Sequence, residues 1–220
     1  LKNINVECCS GEVTAILGRN GSGKSTLLRA ILGDVESCGK IEIDGIDTAQ
    51  MSHREKAQQI AVVEQNVPIL PLIVREYIEM GRMPYRNMMS LNYGDNDKDI
   101  VSKVMKSMSI EHMADKRMDR VSGGERQLAS VAQAIVQETK VLLLDEPTAN
   151  LDIVNKYELY SAIAQMTRKR KVITLVVAHD ISSVKRYADR VILLKEGEIM
   201  ASGKVEETLT DDNWERLFGV

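Results

Sequence analysis

With 220 residues the chain holds one large domain or two small ones, long enough to bury a real core. Its 44% hydrophobic and 28% charged content excludes a disordered, collagen-like or small disulfide-stapled protein. No apolar run is long enough for a membrane-spanning helix, and a net charge of −3 argues against a broad basic surface for nucleic acid.

The chain opens Leu1-Lys2-Asn3, with neither an initiator Met nor a signal peptide, so its first residues are expected to be trimmed or unobserved. Cys8, Cys9 and Cys38 are odd in number, lack metal-ligand spacing and read as reduced thiols. Residues 13–17 form a short apolar run ending in Gly18, which predicts a strand. A helix over 24–32 follows, with Leu27, Leu28, Ile31 and Leu32 on its buried face and Gly33 as its stop. Ile41 and Ile43 alternate with polar residues before Asp44-Gly45, a hairpin signal. Ser52 and Glu55 spell a capping box for a helix through about Gln59, and residues 60–64 read as another strand.

Residues 66–137 differ. Pro68 and Pro71 open the stretch, helical patterns follow over 74–82, about 98–108 and 125–137, and no convincing strand interrupts them. They are assigned to an inserted helical subdomain, with 1–65 and 138–220 forming the main body. Eight of the eleven methionines lie between Met80 and Met118. Ordinary core filling explains them, and so does a surface that repacks against a partner.

Residues 141–144 and 172–178 are apolar without alternation, as expected of strands covered on both faces. Residues 191–194 and 198–201, joined through Glu196-Gly197, predict a terminal hairpin. The fold class is therefore α/β, with a mainly parallel core sheet, antiparallel β elements and a helical insertion.

Gly18-Arg19-Asn20-Gly21-Ser22-Gly23-Lys24-Ser25-Thr26 fits G-x-x-x-x-G-K-[ST] between a strand and a helix. Glycines let successive N–H groups face inward around an anion, and the positive end of the helix dipole points at the same spot. Lys24 is placed to reach the β- and γ-phosphates of a nucleotide, and the Ser25 hydroxyl to ligate Mg²⁺. Asp145 and Glu146 end the apolar run 141–144. At the carboxyl edge of a parallel strand, Asp145 suits a Mg²⁺-bound water and Glu146 suits a general base. Ser122-Gly123-Gly124-Glu125 is a second glycine-rich helix start, with Ser122 as its N-cap.

Together these motifs make nearly the whole chain resemble the nucleotide-binding subunits of ATP-binding cassette (ABC) transporters. Residues 122–127, Ser-Gly-Gly-Glu-Arg-Gln, are similar to the family signature LSGGQ, with Val121 and Glu125 departing from it conservatively. The resemblance implies a P-loop NTPase cassette that binds ATP through Gly18, Asn20, Gly21, Ser22, Gly23, Lys24, Ser25 and Thr26. It also implies a head-to-tail dimer, in which Ser122, Gly123 and Gly124 of one copy close over ATP held by the other. By the same resemblance Gln65 senses Mg²⁺ and the water, Asp152 in Ala149-Asn150-Leu151-Asp152 touches the partner copy, and His179 is the switch histidine at the γ-phosphate. The family stacks adenine on an aromatic residue, usually more than 23 residues before the lysine. Only 23 residues precede Lys24 and none is aromatic. The strand carrying that residue is expected to lie outside the residues present; the alternative is a different adenine contact.

Residues 74–85 resemble the V-x-E-x-x-x-x-G-R-x-P-Y stretch of importers for ferric siderophores, haem and cobalamin, and Arg186-Tyr187-Ala188-Asp189-Arg190 is similar to that group as well. The resemblance implies a peripheral subunit at the cytoplasmic face of the membrane. It would hydrolyse ATP for transmembrane permease subunits, served by an extracytoplasmic substrate-binding protein, with no nucleic-acid partner. The rivals are another transporter subtype, a soluble ABC ATPase acting on nucleic acid or ribosomes, and a phosphotransferase resembling adenylate kinase. The last leaves the signature and His179 unexplained.

Overall fold

The computed structural model describes residues 1–86, 93–149 and 151–219. Its six-stranded sheet runs in the order β4-β5-β6-β1-β7-β8, with β1 Val13–Leu17, β4 Ile60–Val63, β5 Val141–Asp145, β6 Ile173–Val177, β7 Arg190–Lys195 and β8 Glu198–Lys204. Neighbours from β4 to β7 pair in parallel, and β8 alone returns antiparallel to β7. Every residue of β1 is buried. Two apolar clusters line opposite faces, one holding Val13, Ala15 and Leu17 and the other Ile16. Covering on both faces is why these strands lack polar alternation.

A separate hairpin pairs β2 Glu42–Ile43 with β3 Ile46–Asp47 around Asp44-Gly45. Helix α1 Lys24–Leu32 ends on Gly33 at φ 89°, a left-handed cap that glycine adopts without strain. Helix α2 His53–Gln59 begins with the capping box of Ser52 and Glu55 expected from the sequence.

Between β4 and β5 lie α3 Val74–Glu79, a 3₁₀ stretch Met80–Tyr85, α4 Asp95–Ser107 and α5 Gly123–Val136. Among the described residues the only β pairing in this region is one bridge between Ile73 and Arg117. Helix α4 starts three residues before the expected 98, because Asp97 reaches back to the Gly94 N–H at 3.3 Å. Helix α5 starts two residues early, directly behind its cap Ser122. Gly81 lies so close to the Gln133 carbonyl oxygen and Val136 that a Cβ would overlap both. Met105, Met113 and Met118 are fully buried, so core filling explains them, whereas Met83 is 54% exposed. Met88 and Met89 fall outside the described residues.

The helical region shares its apolar cluster with the sheet, since Val74, Val104 and Met118 join the cluster of Ala15, Val63 and Leu144. Polar contacts also join the two. On α2, Arg54 donates to the Pro84 and Arg86 carbonyls, both at 2.9 Å, and Gln58 donates to Pro84 at 2.9 Å. Buried Arg82 meets Asp97 at 2.8 Å, Glu138 at 3.0 Å and the Val136 carbonyl at 2.7 Å, with its guanidinium 4.2 Å from the Tyr85 ring centre.

After β5 come α6 Ile153–Arg170, α7 Ile181–Tyr187, α8 Val205–Thr208 and α9 Asp211–Phe218. Helices α6 and α7 pack through rings: Tyr160 stacks on Tyr187 at 6.0 Å, Tyr157 meets Tyr187 at 6.3 Å, and Arg186 lies over Tyr157. The sheet register carries the rest. Val177 pairs with both Ile16 and Asp145, so β1, β5 and β6 end in one layer and release three loops side by side.

Candidate active site

Six residues turn β1 into α1. Gly18 packs against the Leu194 carbonyl oxygen and Ser22 Oγ with no space for a Cβ, and Gly23 adopts φ 103°. Only glycine meets both demands cheaply. Gly23 also caps α1 without a side-chain hydrogen bond, so the first turn presents its N–H groups to the loop. Asn20, Gly21, Ser25 and Thr26 complete the cradle, with Gly21 at φ 79°. Lys24, 6% exposed, folds its ammonium over the loop and donates to the Gly18 carbonyl at 3.0 Å and the Arg19 carbonyl at 3.2 Å. Burial pulls the Lys24 pKa below the usual lysine range, while Glu146 and Asp145 push it back. A buried cation ringed by carbonyls and free N–H groups is a socket for a polyanion.

Two polar atoms beside this socket lack a protein partner. Ser22 Oγ and Asp145 Oδ1 are buried and make no hydrogen bond. An unpaired buried carboxylate oxygen is costly unless a ligand, ion or water completes it.

Glu146 follows in a left-handed conformation, φ 49°, uncommon for a residue with a Cβ. That turn presents its carboxylate to the neighbouring loops. Gln65, just beyond β4, donates from Nε2 to Glu146 Oε2 at 2.9 Å. His179, just beyond β6, brings Nε2 within 2.5 Å of Glu146 Oε1. Two residues far apart in sequence thus converge on one acid, and both of its oxygens are engaged.

Asp180 follows His179 and caps α7, accepting from the N–H groups of Ser182 and Ser183 at 3.1 and 3.2 Å and from Ser183 Oγ. Lys156 Nζ of α6 lies 2.9 Å from the same carboxylate. Burial works against ionisation of Asp180, but Ser183, Lys156 and the Ser182 N–H outweigh it and bring its pKa down to about 2. Lys156, Asp180, His179 and Glu146 line one side of a cavity of about 590 Å³ completed by Leu151 and Tyr160.

Ser122, Gly123 and Gly124 stand elsewhere. Ser122 accepts from the Glu125 N–H at 3.1 Å, and Glu125 accepts from the Ser122 N–H at 2.8 Å while pairing with Lys116 at 3.1 Å. The Ser122 N–H bond foremost, with Lys116 behind it, holds Glu125 below the ordinary carboxyl range. Glu125, standing where the signature most often has glutamine, thus closes the capping box of α5. Asp152 caps α6 through the Asn155 N–H at 2.9 Å, beside exposed Ile153 and Val154. Asn150 is outside the described residues. No hydrogen bond among the described residues joins Ser122, Gly123, Gly124 or Asp152 to residues 18–26.

The sequence reading did not find Lys156. Asp180 carried a readable signal, an aspartate set two and three residues before serines at a helix start.

Comparisons with known proteins bear on the family and the fold. The ABC transporter family model matches residues 1–149. The ferric enterobactin transport ATP-binding protein FepC of Escherichia coli K12 is 35% identical, over all of this chain and 81% of its own length. An inward-facing ABC transporter assigned to the metal-chelate type superposes with TM-score 0.83 at 29% identity, over 96% of this chain and 80% of that one. A dimeric bacterial ABC transporter cassette gives TM-score 0.82 at 29% identity, over 93% and 90%. This chain, with its glycine cradle, the carboxylates Asp145 and Glu146 and nearby His179, belongs to the ABC transporter family as an ATP-hydrolysing cassette.

Proposed function

We propose that the subunit couples ATP hydrolysis to import of an iron chelate, a ferric siderophore or haem, with Glu146 as the base that activates water. The observation that carries the chemistry is the grip of Gln65 and His179 on the two Glu146 oxygens beside the Lys24 socket. Lys24 and the first-turn N–H groups hold the β- and γ-phosphates. Glu146 takes the proton of the attacking water. Gln65 and His179 aim it, and one of them gives up its hydrogen bond when the water arrives.

Mg²⁺ fits the residues present. Orphaned Asp145 Oδ1 and the Ser25 hydroxyl suit a hard cation that takes one or two protein oxygens and keeps its waters. Such an ion supplies charge neutralisation at the phosphates.

No hydrogen bond among the described residues joins the Ser122 tip to the cradle, which supports a second copy as its source of contact. ATP then favours closure of two copies because it meets both surfaces only in the closed state. Likeness to a dimeric cassette supports this arrangement. The importer assignment draws on residues 74–85 and on similarity to a ferric enterobactin subunit and a metal-chelate type transporter. It carries with it permease subunits, a place at the cytoplasmic face and an extracytoplasmic binding protein. No helix among the described residues is long and apolar enough to cross a membrane. Residues 66–137 form the subdomain that meets the permease.

Paired cysteines at Asn20 and Ser122, in a Glu146→Gln protein cleared of its own cysteines, test the dimer. Crosslinks between copies are expected on saturation with ATP in the permease-bound complex, and their absence sinks the arrangement. Growth of a strain lacking the subunit on single iron sources tests the cargo; undiminished growth on ferric siderophores and on haem rejects it.

A further inference from the structure

Strand β6 delivers His179 to the edge of the site, but the next residue fixes the turn it rides on. Asp180 caps α7, and across the gap Lys156 grips the same carboxylate from α6. Lys156 stands in the first turn of α6, its N–H bonded to the Asp152 carbonyl at 2.9 Å. A cation there opposes the positive end of the helix dipole. Asp180 offsets that cost, and a residue set against local preference with one specific compensation marks a role beyond helix building. The pair is more than surface decoration, since the two side chains are only 25% and 30% exposed.

The surroundings explain what it does. Rings of Tyr157, Tyr160 and Tyr187 fasten α6 to α7 beyond their first turns, and the Lys156–Asp180 pair joins the ends nearest His179. Lys156, His179 and Asp180 line the cavity of about 590 Å³, so these ends border open space and not packed side chains alone. We propose that Lys156 is a positioning residue for hydrolysis: by gripping Asp180 it fixes the turn that carries His179 and keeps the imidazole on Glu146. This rests on the reading of His179 and Glu146 as the hydrolytic pair. It also links the Asp152-capped end of α6 to the acid through one continuous set of contacts.

Single-turnover phosphate release by the full-length chain tests it. Lys156→Met and Lys156→Gln are expected to lower the rate about tenfold to a hundredfold, the effect of small misplacements of reacting groups, with ATP affinity changed less than about twofold. Lys156→Arg is expected to restore most of the rate. In a His179→Ala protein, adding Lys156→Met is expected to change the residual rate less than about twofold, because residues acting as a unit are non-additive. A Lys156→Gln protein that melts like the parent and keeps its rate overturns the proposal, as does an equal further loss on top of His179→Ala. A His179→Ala protein with parental turnover overturns the reading of His179 itself, and the positioning role with it.

Discussion

His179 Nε2 lies 2.5 Å from Glu146 Oε1 although the two residues leave different strands, and the parallel pairing of β5 with β6 sets that distance. Asp145 sits directly opposite Val177, so the residue after one and the second residue after the other emerge side by side. Glu146→Gln keeps the shape and the hydrogen-bonding reach of the side chain but cannot take a proton. The expected outcome is ATP binding near the parental level with turnover reduced about a hundredfold or more. Retention of more than about a tenth of parental phosphate release removes Glu146 as the base.

Lys24 donates from its ammonium to the loop carbonyls of Gly18 and Arg19. On the proposed reading its removal takes a charge-assisted contact from the phosphates and leaves those carbonyls without their donor. Lys24→Ala is expected to weaken ATP binding by about tenfold to a hundredfold, read by titration calorimetry. An unchanged dissociation constant contradicts the cradle.

Gly81 tests the packing of the helical region. A methyl group there meets the Gln133 carbonyl and Val136, neither of which is the far end of a flexible chain. Gly81→Ala is expected to cost about 1–3 kcal/mol in urea unfolding, the usual range for overpacking. A variant as stable as the parent shows that the 3₁₀ stretch and α5 have room to separate.

Arg82 anchors the same region by charge. It is 5% exposed and serves Asp97, Glu138 and the Val136 carbonyl. Arg82→Met preserves bulk but strands the half-buried Asp97 and the buried carbonyl. A loss of about 3 kcal/mol or more is expected, since removing one partner of a buried pair leaves the other uncompensated. Equal melting temperatures for variant and parent exclude the anchor.

Asp180 gives a pH dependence of definite sign. Its pKa is held at about 2 in the fold against an ordinary 3.8. Folding therefore gains from this group fully above the ordinary value, and the gain fades as pH falls from there toward 2. Asp180→Asn keeps a competent helix cap but loses the ion pair. It is expected to lose about 1–2 kcal/mol at neutral pH, allowing for solvent screening, with the gap to the parent narrowing below about pH 4. A gap that stays constant from neutral pH to pH 3 refutes the ion-pair contribution.

The strands of the sheet interior were legible because burial on both faces writes itself as unbroken apolar runs, as in residues 13–17 and 141–144. The α2 start was legible because Ser52 and Glu55 are a local device. Helices α7, α8 and α9 were not, since elements of four to eight residues carry little periodicity and lean on tertiary contact. In the site, the cradle around Lys24 and the Asp145–Glu146 pair could be read from spacing. The convergence of Gln65, Glu146 and His179 could not, because their separations of 81 and 33 residues have no local signature. It rested on family resemblance. Lys156 escaped notice because an isolated lysine in a helix reads as a solvated one until its carboxylate partner is seen.

The hydrogen bonds from Arg54 and Gln58 to the Pro84 and Arg86 carbonyls sit in contact with solvent or close to it, unlike the apolar seam behind them. Water replaces such bonds at little net expense. The joint between α2 and the 3₁₀ stretch therefore rests less on these bonds than on the apolar side chains buried behind them, a cohesion that rising salt leaves intact.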